Sequence, residues 1–378
     1  MENISDNVSD SNCWYNWCFL HEFSEAYDKV HVTLSSIICI FGAISNVINI
    51  IVLTRQNMQT SVNVFLVGLS FAQFLLDTNY LGLLVFEQFR LLCFEFFWGY
   101  TANAYKLINV NLNVIFHTVA FTHTLALAIF RSLCLRWPIR ANRFISFNDW
   151  AISCSIMIWL TVPVLCIPVY FTSTVSLITE PEEEVCKFDV MYDLRYADNP
   201  LLVSLVFWSF GVVVKLVPSI IFICLLGSII RSLQSVENRR EQCLRKRATG
   251  IHKRNGGPLK TTHTLIIILI LCTLVELPHG LLNLLTAVNG EEFGVKIYDK
   301  VGSLLEFLTL LYSSINFCLY VVTNGDFRRT FHLLFLAKSD QQIPSIPRSR
   351  SISNLPQLTR TAESVGLIDS SRTSTWLK

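Results

Sequence analysis

Two ionisable side chains stand inside stretches of sequence that offer them no water. Lys215 lies in the run Gly211-Val-Val-Val-Lys215-Leu-Val, and Glu276 in Leu274-Val-Glu276-Leu-Pro278. A lone charge at the centre of a bilayer costs about 2.5–3.5 kcal/mol on insertion scales, so such residues turn into a helix bundle and pair. Lys215 and Glu276 are therefore expected close together, directly or through water; the plainer alternative is that each finds backbone or amide partners separately. A third acid, Glu306, lies about ten residues before Asn316, near three turns along one helix. It reads as a counter-ion for a basic ligand group, or as a solvated carboxylate at a helix end. A guanidinium pairs well with a partly desolvated carboxylate. Asn113, His117 and Tyr312 could line the same cavity. This is the chemistry of binding. No HExxH, GxSxG or paired intramembrane Asp is present, and no CxxC or Cys/His cluster suggests a metal. The last apolar run offers Ser303, Glu306, Tyr312 and Asn316 but no lysine for a retinal Schiff base. Neither an enzyme nor a pump is expected, and no cofactor, metal or nucleic-acid partner.

These residues must be positioned by membrane helices. The chain has 378 residues, is 52% hydrophobic and only 15% charged, against about 25% charged in soluble domains. Apolar residues gather in runs of about 20, enough to cross roughly 30 Å of hydrocarbon. Seven spans are expected, at 30–54, 61–86, 103–135, 149–171, 200–231, 261–288 and 297–323. The fold class is all-α, a seven-transmembrane helix bundle. The third span is the most polar, with Asn103, Asn109, Asn111, Asn113, His117 and His123, so it belongs in the centre of the bundle. Pro163, Pro168, Pro218 and Pro278 fall inside spans four, five and six and should kink them. Residues 324–337 carry Phe327, Phe331 and Phe335 at i, i+4 and i+8 with Arg328 and Arg329 alongside, the pattern of a short amphipathic helix on a membrane surface.

Orientation follows from Lys and Arg. Arg136, Arg140 and Arg143, the basic stretch from Arg231 to Lys260, and Arg328, Arg329 and Lys338 mark one side. Glu180 to Glu184, Asp189, Asp193, Asp198, Glu291 and Glu292 mark the other. The basic side should be cytoplasmic, with residues 1–29 an extracellular tail and 338–378 a disordered cytoplasmic tail at the plasma membrane. No cleavable signal peptide is expected at the start. Asn3 and Asn7 open sequons in the exterior tail. Ser349, Ser351 and Ser353 beside Arg348 and Arg350 are candidate phosphosites, through which arrestin could dock. Cys13, Cys18, Cys93 and Cys186 fall on or near the oxidising side, where four cysteines allow three pairings.

Local motifs add a family. Gly42-Ala-Ile-Ser-Asn46, Leu69-Ser-Phe-Ala-Gln73, Leu127-Ala-Ile-Phe130-Arg131-Ser132, Val214-Lys215-Leu-Val-Pro218, Glu276-Leu-Pro278 and Ile315-Asn316-Phe317-Cys-Leu-Tyr320 occur in order, each in its own span. Over about 30–336 the chain resembles the rhodopsin-like G-protein-coupled receptors, and within them the invertebrate myosuppressin and FMRFamide-type receptors, the group that includes the sex peptide receptor. The resemblance implies a short amidated peptide as extracellular ligand, a heterotrimeric G protein of the Gi/o class as cytoplasmic partner, and the lipid bilayer as surroundings. The alternative is a chemosensory receptor for an environmental molecule, since large invertebrate families of that kind look similar.

The same resemblance assigns roles. Arg131 would be the switch arginine, with Asn316, Tyr320, Pro278, Pro218, Gln73 and Asn46 in the activation network. Asn113 stands where amine receptors carry Asp, which argues against a monoamine ligand. Several positions depart from the common pattern. Phe130 replaces the acid before the switch arginine, so the usual ion lock is missing, and Phe317 replaces a residue that most relatives use. Gln73 replaces the carboxylate that binds sodium in relatives, so a weak sodium effect is expected. Lys106 stands where most relatives place the cysteine that ties the third helix to the second outer loop, so Cys186 must pair elsewhere; Cys93 with Cys186, and Cys13 with Cys18, is the preferred set.

Overall fold

A computed structural model describes residues 17–136, 148–178, 186, 188–246, 257–289, 293 and 297–336. Seven of its helices are long and apolar enough to cross a membrane. In chain order they are α1 (Trp17–Leu53), α2 (Ser61–Leu91), α3 (Tyr100–Arg136), α4 (Asn148–Leu165), α5, α6 (Gly257–Asn289) and α7 (Asp299–Thr323). The helix α5 runs Pro200–Ser209, passes through a π-helical segment Phe210–Leu216, and continues as Val217–Lys246. A short α8 (Gly325–Phe335) follows α7.

Burial runs opposite to that of a soluble bundle. On α1, Ser35, Asn46 and Asn49 are fully buried while Ile37, Ile40 and Ile44 are at least half exposed. On α4, Ile156, Met157, Leu160 and Val164 likewise face outward. Water would not tolerate so large an apolar exterior, whereas hydrocarbon requires it. As its polarity foretold, α3 is central: it touches α2, α4, α5 and α6, and its Asn103, Asn111 and His123 are buried.

Helix starts follow short-range chemistry. Thr60 caps α2 by accepting from the Asn63 N–H at 3.2 Å. Asn199 caps α5 by accepting from the Leu202 N–H at 3.2 Å, with Pro200 at the first helical position. Asn324 caps α8 by accepting from the N–H groups of Asp326 and Phe327. That helix buries Phe327 completely, against Phe317 and Tyr320, and leaves Leu333, Phe335 and Leu336 outward. The expected amphipathic helix is thus present.

One expected boundary needs correction. The first helix is already formed at Trp17, well before the apolar run at residue 30; its early turns bury Ser24 and His31, and His31 Nε2 lies 3.0 Å from the Tyr80 hydroxyl of α2. The fourth span covers Asp149–Phe171 as expected; within it α4 ends at Leu165, and a 3-10 segment Ile167–Phe171 takes over around Pro168, which has no N–H to continue the ladder. The all-α seven-helix bundle is as expected, and between α4 and α5 it carries one short antiparallel hairpin, β1 (Ser173–Leu177) and β2 (Tyr192–Tyr196), with Ser173 opposite Tyr196 and Leu177 opposite Tyr192. The hairpin packs on α3. Asn3, Asn7, Cys13, Arg140, Arg143, the acidic run 180–184, Ser349, Ser351, Ser353 and the whole tail 338–378 lie outside the described residues, as does the side chain of Cys18.

Candidate ligand-binding site

Near the hairpin end a cavity of about 210 Å³ opens between the helices. Leu76 and Tyr80 of α2, Asn113 and His117 of α3, and Phe207, Phe210 and Lys215 of α5 line it. His279 and Asn283 of α6 and Glu306 and Thr309 of α7 complete the wall.

Its floor is a charged triad. Lys215 Nζ donates to Glu276 Oε2 at 2.8 Å, and His117 Nε2 stands 2.5 Å from Glu276 Oε1. Lys215 Nζ also lies 3.1 Å from His117 Nε2. One ring nitrogen has either a hydrogen or a lone pair, and the assignment that serves both carboxylate oxygens puts the hydrogen on Nε2. Lys215 and Glu276 are each only 4% exposed at the side chain, so the pair expected from sequence is both formed and buried.

Local backbone chemistry brings the pair together. The π-helical segment ends two residues before Pro218, which offers no N–H, and it carries Lys215 into the bundle. Two glycines then let α5 and α6 approach. A Cβ on Gly211 would lie 2.9 Å from Asn283 Cβ, and one on Gly280 would lie 3.0 Å from Lys215 Cβ. Pro278 sits between Glu276 and Gly280, inside α6.

Glu306 stands in the α7 wall, exposed to the cavity. Tyr80 donates its hydroxyl to Glu306 Oε2 at 2.6 Å. Among the described residues no cation pairs with Glu306, and the cavity's ammonium is taken up by Glu276. Three further lining atoms are buried without partners: Asn113 Oδ1, His279 Nδ1 and Asn283 Oδ1. They are unmet hydrogen-bonding capacity facing whatever enters. Tyr312, expected to line this cavity, does not. It is buried in the core, its hydroxyl 3.3 Å from Thr124 Oγ1. Glu276 reaches the cavity only through His117 and Lys215, which it holds.

Deeper in the bundle is a polar cluster that sequence reasoning read incompletely. Asn316 donates to Gln73 Oε1 at 3.0 Å. One turn along α2 from Gln73, fully buried Asp77 accepts from Asn46 at 3.2 Å and from Ser313 at 3.1 Å. The carboxylate absent at 73 is thus supplied at 77, and an argument for weak sodium dependence from Gln73 alone no longer follows. Leu76-Asp77 stood in the sequence inside an apolar run and carried the signal. Asp77 Oδ1, Gln73 Nε2 and Asn316 Oδ1 have no partner among the described residues.

Arg131 and Tyr320 meet at the α8 end, in a cavity of about 30 Å³ they share with Asn63, Leu265 and Asn324. No carboxylate pairs with Arg131 among the described residues. Phe130, in place of the usual acid, is buried beside Phe65 and stacked on Trp150.

At the opposite end Cys93 is bonded to Cys186, with Cα atoms 5.6 Å apart. Lys106 pairs with Glu87 at 2.6 Å and with Asp193 of β2 at 3.4 Å. Arg90 holds Asp193 through both carboxylate oxygens, at 2.8 and 2.7 Å, and lies over the Trp98 ring. The tie between α3 and the hairpin that a disulfide would have made is therefore ionic.

The sequence profile described as serpentine type 7TM GPCR chemoreceptor Srw matches residues 33–338, most of the chain. The chain belongs to that family. It is a G-protein-coupled receptor embedded in a membrane by several passes, as the apolar exterior requires. Among curated proteins this receptor is similar to the G-protein coupled receptor dmsr-1 of Caenorhabditis elegans, 25% identical over 362 residues that span 82% of this chain and 69% of the relative. The FMRFamide receptor of Drosophila melanogaster is 23% identical over 85% of this chain, which spans only 57% of that protein. Sex peptide receptor-related protein 2 of Caenorhabditis elegans is 22% identical over 85% of this chain and 75% of its own length. These relatives are of the branch that the motifs indicated.

Proposed function

We propose that this receptor takes a short amidated peptide of the FMRFamide and myosuppressin type at the hairpin end and signals to a heterotrimeric G protein, of the Gi/o class, at the α8 end. One observation carries the reading: Glu306 is the cavity's uncompensated charge, because Lys215 is already neutralised by Glu276. Such a cavity favours a ligand that brings a cation and no free carboxylate, as an amidated peptide with an arginine does. Two of the similar proteins are named for peptides. The distribution of Lys and Arg supports an extracellular hairpin end and a cytoplasmic α8 end. In this reading Asn113, His117, Lys215 and Glu276 shape the ligand site. Ligand binding then moves α6 outward about Pro278 and opens the small cavity around Arg131 and Tyr320, with Asn46, Gln73, Asn316 and Pro218 in the switching network. Residues 1–16, with Asn3 and Asn7, form a glycosylated outer tail, and 338–378 a cytoplasmic tail open to phosphorylation and arrestin.

A second reading is favoured by the family's own description as chemoreceptors: an environmental small molecule as ligand. One screen separates the two. Cells expressing the chain with a promiscuous G protein are exposed to a panel of amidated peptides, their free-acid forms, and small volatile and water-soluble compounds. The peptide reading expects calcium responses to amidated peptides and at least tenfold weaker responses to the acids. Responses confined to the small compounds would overturn it.

A further inference from the structure

Glu306 does not stand alone in the wall of the cavity. The hydroxyl that holds it belongs to Tyr80, and behind Tyr80 stands a histidine of α1. His31 Nε2 lies 3.0 Å from the Tyr80 oxygen, and His31 Nδ1 lies 3.2 Å from the Tyr27 hydroxyl and 3.4 Å from Ser35 Oγ. His31 and Tyr80 are each 7% exposed and Ser35 is fully buried. The Tyr80 ring is packed with Cys39, Leu84 and Leu310 in the seam where α1, α2 and α7 meet.

With Glu306 ionised, as the counter-ion reading requires, the hydrogens in this chain run one way. An ionised carboxylate has none to give, so Tyr80 must spend its single hydrogen on Glu306. The Tyr80 oxygen can then only accept from His31, which places the imidazole hydrogen on Nε2. His31 Nδ1 is left bare and accepts from Tyr27 or Ser35. Every member is satisfied in one direction only: Tyr27 to His31 to Tyr80 to Glu306. Asp28, exposed and one turn from Ser24, takes its hydrogen bond from Ser24 at 3.2 Å and not from the chain.

We propose that His31 and Tyr80 are positioning residues for the ligand's cationic group: together they fix the rotamer of Glu306 and leave Glu306 Oε1 as the oxygen presented to the ligand. The inference rests on the reading of Glu306 as the ligand's counter-ion, and it makes α1, which does not line the cavity, a determinant of ligand choice. It also accounts for the early start of α1, because Tyr27 and His31 occupy turns that precede or open the apolar run.

The test is a ligand-by-receptor cycle on the full-length receptor, with surface level normalised by an N-terminal epitope. The two ligands are FMRFamide and its analogue with citrulline, a neutral isostere, in place of arginine. For FMRFamide, Tyr80→Phe and His31→Phe should each raise the half-maximal concentration about tenfold. The double variant should be no worse than Tyr80→Phe alone, because the groups act in series. His31→Gln, which keeps an N–H donor near the Nε2 position, should restore most of the response. For the citrulline analogue, wild type and all four variants should respond alike, since a general folding defect would weaken both ligands equally. If Glu306→Gln weakens FMRFamide while Tyr80→Phe and His31→Phe do not, the inference is overturned and the counter-ion reading stands. If Glu306→Gln has no effect, or wild type does not respond to FMRFamide, the counter-ion reading falls and the inference falls with it. Equal losses for both ligands would reduce His31 and Tyr80 to packing residues.

Discussion

Lys215 and Glu276 were legible because charges in apolar runs are rare and have few ways to exist there. Burial to 4% makes each of them a liability without the other. Lys215→Ala or Glu276→Ala leaves the other buried charge with only the His117 imidazole, at a cost of up to about 3–5 kcal/mol. Surface expression, read by flow cytometry, should fall severalfold for either and recover in part for the double exchange Lys215→Glu with Glu276→Lys. No recovery would mean that His117, 2.5 Å from Glu276, cannot accommodate the exchange and that the pair is not interchangeable. Other site residues were hidden for physical reasons. Tyr80 and His279 are ordinary membrane aromatics until a neighbour defines them, and their neighbours Glu306 and Tyr298 are far off in sequence. Asp77 is not legible from the family motif, which places its carboxylate at Gln73, one turn away. Phe130 was read as a missing acid, but it is also a packed core residue. Phe130→Asp would therefore bury a carboxylate beside Trp150, and a change in basal signalling must be judged against lost expression.

At the scale of elements, the seam between α5 and α6 decides whether the triad can form. Gly280 faces Lys215 Cβ at 3.0 Å and the Leu216 backbone nitrogen at 3.2 Å, measured from where a side chain would begin. Gly280→Ala should be tolerated with a modest loss of agonist potency, whereas Gly280→Val should force the helices apart and abolish signalling at matched surface level. Equal behaviour of the two would show that the seam yields freely. The sequence announced Pro218 and Pro278 but not the π-helical segment, since an i to i−5 turn leaves no composition signature. The hairpin was invisible for a similar reason. Ser173–Leu177 and Tyr192–Tyr196 are short, and the pairing that makes them strands lies across a long intervening loop. The extra turns of α1 carry Glu22, Glu25, Asp28 and Lys29, so hydropathy alone starts the helix late.

For the molecule as a whole, seven spans followed from composition, and the family from motifs in order. The way the hairpin is anchored did not, because it depends on four side chains from separate segments. Burial alone would raise the Asp193 carboxyl, but the Arg90 hydrogen bond and the charges of Lys106 and Arg90 outweigh it and hold Asp193 below the ordinary carboxylate value. An acid lowered in the folded state contributes stability above its unfolded value, near pH 4, and loses it as pH falls through the folded one. Thermal stability of the purified receptor should thus be level with respect to Asp193 between about pH 5 and 8 and fall below about pH 4. Asp193→Asn should lower the melting temperature at neutral pH and flatten that acid slope; an unchanged slope would remove Asp193 from the anchor.

Equilibrium binding asks whether Glu306 receives the ligand's cation. The affinity of wild type and Glu306→Gln is compared for whichever amidated, arginine-containing peptide activates the receptor. Glu306→Gln should bind tenfold or more weakly, the worth of about one charge-assisted hydrogen bond. Undiminished affinity would contradict it.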